Sequence, residues 1–149
     1  MTLYLSLGSN LGDRQHYLDA ATSRLIAALG PCVAASAVME TAPVEMDSCH
    51  RFLNAAIALR TAETDPMALL EVTQRIEREL GRTRKSNGGQ HYDRTIDIDL
   101  LRLFDDAERE VVVQHPRLTL PHPRIAERDF MRLPLEEILL QEHRHADGA

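Results

Sequence analysis

The sequence predicts an α+β fold of the ferredoxin-like type, a βαββαβ core whose antiparallel sheet is flanked by helices in α-β-α layers. Two patterns predict it. Segments in which apolar and polar residues alternate indicate strands, and two longer segments with apolar residues at helical spacing separate them in the order β-α-β-β-α-β. The length of 149 residues is that of one domain, so we expect a single domain over residues 1–149.

The first half of the core begins with a strand and a helix. Leu3, Leu5 and Leu7 alternate with other residues, as expected for a strand with one buried face. The helix that follows ends at Gly30-Pro31, a pair that stops helices. Its buried stripe is formed by Leu18, Ala21, Leu25 and Leu29. The predicted elements are a strand at 2–7, a helix ending at Leu29, a second strand at 32–39 and an irregular loop at 40–51.

The second half repeats this arrangement. Asp65 followed by Pro66 is a typical helix start, because the aspartate caps the first turn and proline suits the first helical position. The tail from Gln141 to Ala149 is polar and is expected to fray. The predicted elements are a strand at 52–60, a helix from Asp65 to Leu80, an acidic strand at 95–103, a turn at Asp105-Asp106, a short strand at 111–113 and a closing helix at 134–140.

Composition restricts the classes of partner. The net charge of −6, from 23 acidic and 17 basic side chains, disfavours non-specific nucleic-acid binding, which depends on neutralising phosphates. Positive charge is instead local, at 82–94 and around Arg117, Arg124 and Arg128, which suits a small polyphosphate. The chain shows no basic-apolar leader and no apolar run of membrane-spanning length, so we expect a cytoplasmic monomer without a membrane or nucleic-acid partner.

A divalent-metal site is predicted at Asp97 and Asp99, within the segment RTIDIDLL at 94–101. Alternate residues of a strand point to the same face, so the two carboxylates lie side by side and repel each other unless a cation lies between them. Mg²⁺ accepts such oxygen ligands and keeps phosphate as a further partner. A solvated strand face is the alternative. Leu101 and Leu103, however, are expected on the same face, which would not then be simply exposed.

The segment immediately before the acidic strand is basic and contains Arg82, Arg84, Lys85 and Arg94. Charge runs are usually solvated, but the position of this one beside the carboxylates favours a role with phosphates. Arginine grips phosphate oxygens with two parallel hydrogen bonds and can neutralise charge that develops in a transition state. Together, acid pair and basic segment indicate an ATP site, although the chain has no GxGxxG or GxxxxGK[ST] motif.

A possible ring-binding site is indicated by Phe52 and Asn54, which share one face of the strand at 52–60. An aromatic ring beside a carboxamide can stack on a flat heterocycle and hydrogen-bond to its amide edge. A core phenylalanine beside a sheet-edge asparagine is the alternative, and spacing alone favours that alternative. Gln74 and Glu77 lie three residues apart on one helical face, and His122 lies in the rigid turn Pro121-His122-Pro123.

Taken in order, these motifs resemble those of the 6-hydroxymethyl-7,8-dihydropterin pyrophosphokinase family. The resemblance runs from LYLSLGSNLG at 3–12 to FMRLPL at 130–135, nearly the whole chain. Its most specific parts are RTIDID at 94–99, with FLNA at 52–55 upstream and LPHP at 120–123 downstream. Members of this folate-pathway family transfer pyrophosphate from ATP to the hydroxymethyl group of the pterin and release AMP.

The resemblance implies roles for individual positions. Asp97 and Asp99 match the pair that binds two Mg²⁺ ions between ATP and the acceptor hydroxyl. Phe52 and Phe130 match the rings that sandwich the pterin, and Asn54 matches the amide that reads its edge. The positions that match backbone contacts to the pterin are Thr41 and Val44.

The same resemblance implies an ATP site and a catalytic pair of arginines. Arg82 and Arg94 match mobile-loop arginines associated with catalysis. The positions that match the ATP site are Gln74, Glu77, Arg84, Ile98, Arg117, Thr119, His122 and Arg128. The chain departs from the commonest family pattern at 89–94, where many members have a Trp followed by Gly-Pro or Ala-Pro, and His91 or Tyr92 is the candidate substitute.

Two other functions are compatible with the residues. One is a phosphoryl- or nucleotidyltransferase on the same scaffold with a different acceptor, which the reaction products would distinguish. The other is a non-catalytic ferredoxin-like binding module, for example for RNA. Such a module would carry exposed aromatic residues for base stacking, and the chain has only three Phe, three Tyr and no Trp.

Overall fold

In a computed structural model of the chain, the structure describes residues 1–41, 51–81 and 95–148, with side chains described as far as residue 142. A short 3₁₀ helix at Ile125–Glu127 precedes the last helix. The strands are β1 (Thr2–Ser9), β2 (Cys32–Ala35), β3 (Met39–Thr41), β4 (Phe52–Arg60), β5 (Asp97–Phe104), β6 (Val113–His115) and β7 (Leu118–Leu120). The helices are α1 (Arg14–Leu29), α2 (Pro66–Glu79) and α3 (Asp129–Gly148).

The main sheet has the strand order β2-β4-β1-β5, with β3 also paired to β4, and all of its pairs are antiparallel. β1 lies between β4 and β5, so it is flanked by the strand that carries FLNA and by the strand that carries Asp97 and Asp99. With β2 and β3 taken as one broken strand, this is the antiparallel sheet of the predicted βαββαβ core. The predicted fold class is confirmed. β6 and β7 form a separate hairpin.

Two apolar cores lie on the two faces of the sheet. α1 and α2 cover one face, where the leucines of β1 meet Ile57, Leu59, Ile98 and Leu100. α3 covers the other face, hereafter the α3 face, where Met131, Leu135 and Ile138 pack against small residues such as Ala56 and Ala58. Helices therefore flank the sheet on both sides, as the predicted α-β-α layers require.

α3 is fastened to the sheet by polar contacts as well as by its apolar side. Glu137 accepts a 2.6 Å hydrogen bond from the backbone N–H of Ala37, and Gln141 donates to the carbonyl of Ala35 at 3.1 Å. The hydroxyl of Tyr4 donates to Glu142, and this bond together with burial raises the Tyr4 pKa far above its usual value. These contacts hold the helix across β1 and the link between β2 and β3.

Several predicted boundaries are confirmed, and their local physics explains why. The third predicted strand, 52–60, has the bounds of β4. Asp65 caps α2 by accepting a hydrogen bond from the backbone N–H of Met67, and Pro66 occupies the first helical position. Both features depend on adjacent residues only, which makes them readable from sequence.

Other boundaries differ from those predicted. The strand expected at 32–39 is divided into β2 and β3, because the Ser36 hydroxyl takes the hydrogen bond of the Ala56 N–H and interrupts the ladder. The closing helix expected at 134–140 begins at Asp129 and continues to Gly148, through Pro134 and the tail that was expected to fray. The strand expected at 111–113 was misplaced, since β6 starts at Val113 and pairs with β7, which was not predicted.

A β-bulge in β5 corrects one further expectation. Asp99 is opposite Ser6 and Leu100 is opposite Leu5, but Arg102 is opposite Tyr4, so Leu101 is the extra residue. Leu101 packs on the α3 face as expected, whereas Leu103 packs on the α1 and α2 side. The prediction that Leu103 shares a face with the aspartates was therefore wrong, because a bulge shifts the alternation by one residue.

Among the helices of the described ranges, none combines the length and the apolar character that crossing a membrane requires.

Candidate active site

Three strands bring the predicted metal and ring-binding residues into one row on the α3 face. The register places Gly8 of β1 between Asn54 of β4 and Asp97 of β5. Two residues away on the same face, the neighbouring row contains Ser6 of β1 and Asp99 of β5. Asp97 and Asp99 are both partly exposed, so the two carboxylates line one open end of this face. The prediction that they share a face agrees with this register.

Because Gly8 has no side chain, this row has a depression over β1, between β4 and β5. We call this depression the cradle; it is formed by Gly8, Asn54 and Phe52. A Cβ atom added at Gly8 would lie 2.9 Å from Oδ1 of Asn54 and 3.5 Å from Cδ1 of Phe52. Asn54 is only 3% exposed, and its Nδ2 donates a 2.6 Å hydrogen bond to the hydroxyl of Thr41. Thr41 is itself paired with Phe52 across β3 and β4. The cradle thus combines a glycine floor, an amide and an aromatic ring.

A second phenylalanine lies in the first turn of α3, on the same face. Phe130 is partly buried against the α3-face core. The guanidinium of Arg128 lies 5.8 Å from the centre of the Phe130 ring, within cation–π distance. The third phenylalanine, Phe104, is at the far end of β5, where it packs edge-on against Tyr4 with ring centres 5.8 Å apart. The fold therefore brings Phe52 and Phe130 to the cradle's face and keeps Phe104 apart from the cradle.

The backbone between the two aspartates is held by Glu77. This carboxylate is 4% exposed, and its Oε2 accepts a 2.8 Å hydrogen bond from the backbone N–H of Ile98. Within the described ranges β5 is at the edge of the sheet, where a backbone N–H that does not face β1 needs an acceptor from outside the sheet. Glu77 supplies this acceptor and thereby fixes the strand at the residue between Asp97 and Asp99.

His122 is a neutral, partly buried imidazole beside the acidic pair. Burial is the largest cause that lowers its pKa to about 4, the charges of Arg128 and Arg124 lower it further, and Asp97 acts in the opposite sense. Its Nδ1 accepts a 3.1 Å hydrogen bond from the backbone N–H of Arg124, so at neutral pH its proton is on Nε2. Since folding lowers this pKa, His122 costs stability as the pH falls from about 6.5 towards 4.

The remaining predicted ATP-site residues of the described ranges lie near the β6–β7 hairpin. Arg117, in its turn, donates a 3.2 Å hydrogen bond to the side chain of Gln74 on α2. Thr119 is an exposed residue of β7. The backbone N–H of His122 donates to the carbonyl of Leu101 at 2.8 Å, which fixes the chain after the hairpin to β5.

Four predicted positions lie outside the described residues: Val44, Arg82, Arg84 and Arg94. The residues that flank the basic segment are described, and they are close together. The Thr95 hydroxyl donates a 2.9 Å hydrogen bond to the carbonyl of Leu80. The end of α2 and the start of the acidic strand are therefore joined two residues before Asp97.

The donor set fits magnesium. Two carboxylates spaced by one residue on a strand provide hard oxygen ligands on one face, and Mg²⁺ is usually bound by one or two carboxylates plus substrate phosphates. Within the described parts of the chain there is no group of three or more His, Cys, Asp and Glu side chains that could hold an ion. A two-carboxylate site of this kind is completed by ligands from phosphates and water.

Sequence reasoning missed this role of Gly8, because the first strand was expected to end at residue 7, whereas β1 continues to Ser9. A signal for it exists. Gly8 continues the alternation of Tyr4 and Ser6, and a glycine inside a strand marks a position where another group approaches the backbone closely. Recognising the cradle nevertheless requires the register that places Asn54 beside it.

Comparisons with known proteins point to one family. Residues 4–140 match the family model described as 7,8-dihydro-6-hydroxymethylpterin-pyrophosphokinase (HPPK). A 2-amino-4-hydroxy-6-hydroxymethyldihydropteridine pyrophosphokinase of Porphyromonas gingivalis is 51% identical over 136 residues, which cover 91% of this chain and 89% of that protein. The Bacillus subtilis protein of the same name is 41% identical over 147 residues, 98% of this chain and 83% of that one.

Solved structures with the same fold are more distant in sequence. A crystal structure of an HPPK-DHPS in complex with substrates superposes with a TM-score of 0.66 at 15% identity and covers 92% of this chain but 40% of that chain. A Plasmodium falciparum HPPK-DHPS triple mutant gives 0.63 at 16% identity, covering 90% of this chain and 40% of that one. At such identities the likeness establishes the fold alone.

Proposed function

The chain belongs to the 7,8-dihydro-6-hydroxymethylpterin-pyrophosphokinase family, and we propose that it transfers pyrophosphate from ATP to the hydroxymethyl group of 6-hydroxymethyl-7,8-dihydropterin, releasing AMP, in folate biosynthesis. One observation carries the proposal at the level of the site. The amide and glycine of the cradle are in register with Asp97, so a bound ring and a metal-bound polyphosphate would be neighbours. The whole chain acts as one pyrophosphokinase domain in this proposal.

The pterin occupies the cradle in this proposal. Phe52 and Phe130 stack on its two faces, and Asn54 hydrogen-bonds to its amide edge, while Thr41 and Val44 offer backbone groups. Support comes from the burial of Asn54 and its bond to Thr41, which hold the carboxamide in place before a ligand arrives. A preorganised amide rejects rings that lack matching donors and acceptors, because its own groups would be left unpaired.

ATP occupies the side of the row that lies towards β5 and the β6–β7 hairpin. Its binding positions in this proposal are Gln74, Glu77, Arg84, Ile98, Arg117, Thr119, His122 and Arg128. Two pairs of them are linked across elements, Gln74 with Arg117 and Glu77 with Ile98, which supports one site bordered by α2, β5 and the hairpin. A neutral His122 that carries its proton on Nε2 can donate one hydrogen bond to a phosphate oxygen.

Asp97 and Asp99 would hold two Mg²⁺ ions. Such ions, when bound, neutralise polyphosphate charge and favour the ionised form of a bound hydroxyl. The protein's own contribution is to hold the two carboxylates on one strand face, with the intervening backbone fixed by Glu77. The dependence of the reaction on ATP and Mg²⁺ is part of this proposal.

The chemical step is an in-line displacement at the β-phosphorus. The hydroxymethyl oxygen forms a bond to the β-phosphorus and gives up its proton, and the bond from the β-phosphorus to the α–β bridging oxygen breaks, so that AMP leaves. Arg82 and Arg94 neutralise the charge on the transferred group. The orientation of the acceptor by the cradle provides the proximity that such a reaction requires.

Phosphorus NMR tests the reaction directly. ATP, Mg²⁺ and 6-hydroxymethyl-7,8-dihydropterin incubated with the protein should give AMP and a pterin diphosphate in equal amounts. ADP would indicate phosphoryl transfer and free pyrophosphate nucleotidyl transfer, and either product would contradict the proposal. If the protein bound the pterin but formed no product, it would be a non-catalytic binding module and the proposal would be wrong.

Aromatic stacking should account for a large part of pterin affinity. Phe130→Ala should weaken pterin binding by about 1–3 kcal/mol, the range for stacking on one aromatic side chain. Phe52→Ala should have a similar effect, and Asn54→Ala a comparable one through lost hydrogen bonds. Isothermal titration calorimetry with pterin, and separately with an ATP analogue, measures the effects.

Phe104→Ala is the matched control for these variants. Phe104 packs on Tyr4 at the other end of β5, so its loss should lower the thermal midpoint and leave pterin affinity unchanged. An equal loss of ATP-analogue affinity in the Phe130 variant would show that the ring supports the fold of the site and does not stack on the pterin.

Gly8→Ala should weaken pterin binding more than it destabilises the fold. The new methyl group would lie 2.9 Å from Oδ1 of Asn54 and would displace that amide from the cradle. We expect pterin affinity to fall at least about tenfold, since an unpaired buried group costs about 1–3 kcal/mol. Strand glycines are destabilising by about 0.5–1 kcal/mol relative to alanine, which offsets part of the cost of displacing the buried Asn54 amide from Thr41, so the thermal midpoint should fall only modestly. Unchanged pterin affinity in this variant would contradict the position of the cradle.

A further inference from the structure

A three-way ion-pair network lies next to the cradle and is centred on Glu40 of β3. Its Oε1 is 2.9 Å from Nε of Arg51, and its Oε2 is 3.5 Å from Nη2 of Arg14. Arg14 also donates a 2.9 Å hydrogen bond from Nη1 to the backbone carbonyl of Arg51. One carboxylate therefore connects the first residue of α1, the middle of β3 and the residue that precedes β4. This set of three residues is called the Glu40 network below.

β3 needs such support because it is a short strand with a single partner in the described sheet. It consists of three residues, Met39–Thr41, and each is paired with one residue of β4. Its last residue, Thr41, accepts the hydrogen bond from the side chain of Asn54 and is opposite Phe52. The placement of β3 against β4 thus fixes Thr41, and Thr41 in turn holds the side chain of Asn54 beside Phe52 in the cradle.

We propose that Glu40 is a positioning residue for pterin binding, which it serves by holding β3 and Arg51 against the start of α1. This inference depends on the proposed function, because it concerns the acceptor half of that site. Glu40 itself is not assigned a contact with the pterin. It acts through Thr41, which is next to it in sequence, and through Phe52, which is next to Arg51.

The network should matter for binding more than for stability. Its side chains are partly exposed, 45% for Glu40 and 57% for Arg51, and ion pairs at such positions contribute little to the free energy of unfolding. Misplacing a buried amide that must meet a ring edge has a larger effect on affinity, since both partners then lose hydrogen bonds. A split between pterin affinity and thermal stability is therefore the expected signature.

Steady-state kinetics of Glu40→Gln provides the first test. The KM for the pterin should rise about five- to twentyfold, while kcat and the KM for ATP change by less than about twofold. If the effect were one of overall charge, loss of a negative charge would instead lower the KM for the anionic ATP. A KM for pterin within about twofold of the parent would overturn the inference.

Asp106→Asn is the matched control. Asp106 also joins two cations, the amino group of Met1 at 3.0 Å and Arg60 at 3.5 Å. It lies next to the start of β1, whereas the cradle is near the strand's end, about 20 Å away at 3.3 Å per residue. This variant should keep the parent KM for both substrates. The thermal midpoints of the two variants should differ from the parent by similarly small amounts.

A double-mutant cycle with Arg51→Gln tests whether the residues act as one device. Each single variant should raise the pterin KM by a similar factor, and the double variant should be no worse than either. If the double variant raised the KM for the pterin by the product of the two single factors, the residues would act independently, and the proposed network would be overturned.

Measurements on the parent protein distinguish the two proposals. Absence of pterin-dependent AMP formation by the parent refutes the proposed function, whereas an active parent with unaffected variants refutes only the role of Glu40.

Discussion

Replacing Asp97 or Asp99 by asparagine should lower kcat by about two to three orders of magnitude, the scale found when a single group that stabilises transition-state charge is removed. Asparagine has nearly the same shape, but it lacks the charge that binds Mg²⁺. The two carboxylates lie on one strand face, opposite Gly8 and Ser6, and both are partly exposed, so the nearly isosteric asparagine should fit at either position. Without metal, the variants should unfold at the parent temperature or slightly above it, because like-charge repulsion is relieved.

Asp105→Asn is the appropriate control for this pair. Asp105 follows β5 at the opposite end and accepts hydrogen bonds from the backbone N–H groups of Ala107 and Arg109, which an asparagine side chain can also accept. Its variant should keep the parent kcat at saturating Mg²⁺. Near-parent turnover in both the Asp97 and the Asp99 variants would refute the assignment of the metal site to this strand.

The features that sequence predicted correctly are those set by neighbours along the chain. The alternation of side chains along residues 52–60 predicted the bounds of β4. It also placed Phe52 and Asn54 on one face and Ile57 and Leu59 on the other, because side-chain direction in a regular strand has a period of two. The helix start at Asp65 depends on one side chain and one nearby backbone N–H. The common face of Asp97 and Asp99 needed only a regular strand over three residues.

The features that were missed depend on pairing between distant segments. The bulge at Leu101 arises where β5 meets β1, and only that register shows that Leu103 turns to the other face. The sequence placed Glu77 only on a helical face beside Gln74, and its burial against the backbone of Ile98 follows from the packing of α2 on β5. Likewise, Glu40 carries no motif, and its link to Arg14 and Arg51 exists only after α1, β3 and β4 assemble.

Alanine at Arg82 or Arg94 should lower kcat by about two orders of magnitude or more and leave the dissociation constant for ATP within a few fold. Both residues lie outside the described part of the chain, and their catalytic role is a proposal from family resemblance. The described flanks support it, because the Thr95–Leu80 hydrogen bond joins the residues on either side of segment 82–94 close to the strand that carries Asp97. If these positive charges stabilise mainly the transition state, their removal lowers kcat and leaves the affinity for ground-state ATP nearly unchanged.

Two further variants in the same segment separate catalysis from simple attraction of phosphate. Lys85→Ala removes an equal charge from a residue without an assigned role, so it should change kcat by less than about threefold through long-range electrostatics alone. Arg84→Ala, at a proposed ATP-binding position, should raise the ATP dissociation constant more than it lowers kcat. Single-turnover measurements of AMP formation, combined with calorimetry using a non-hydrolysable ATP analogue, distinguish these outcomes. If Arg82→Ala and Arg94→Ala instead lost ATP affinity and kept kcat, the two arginines would be phosphate anchors, and stabilisation of the transferred group would have to come from the described residues around Asp97 and His122.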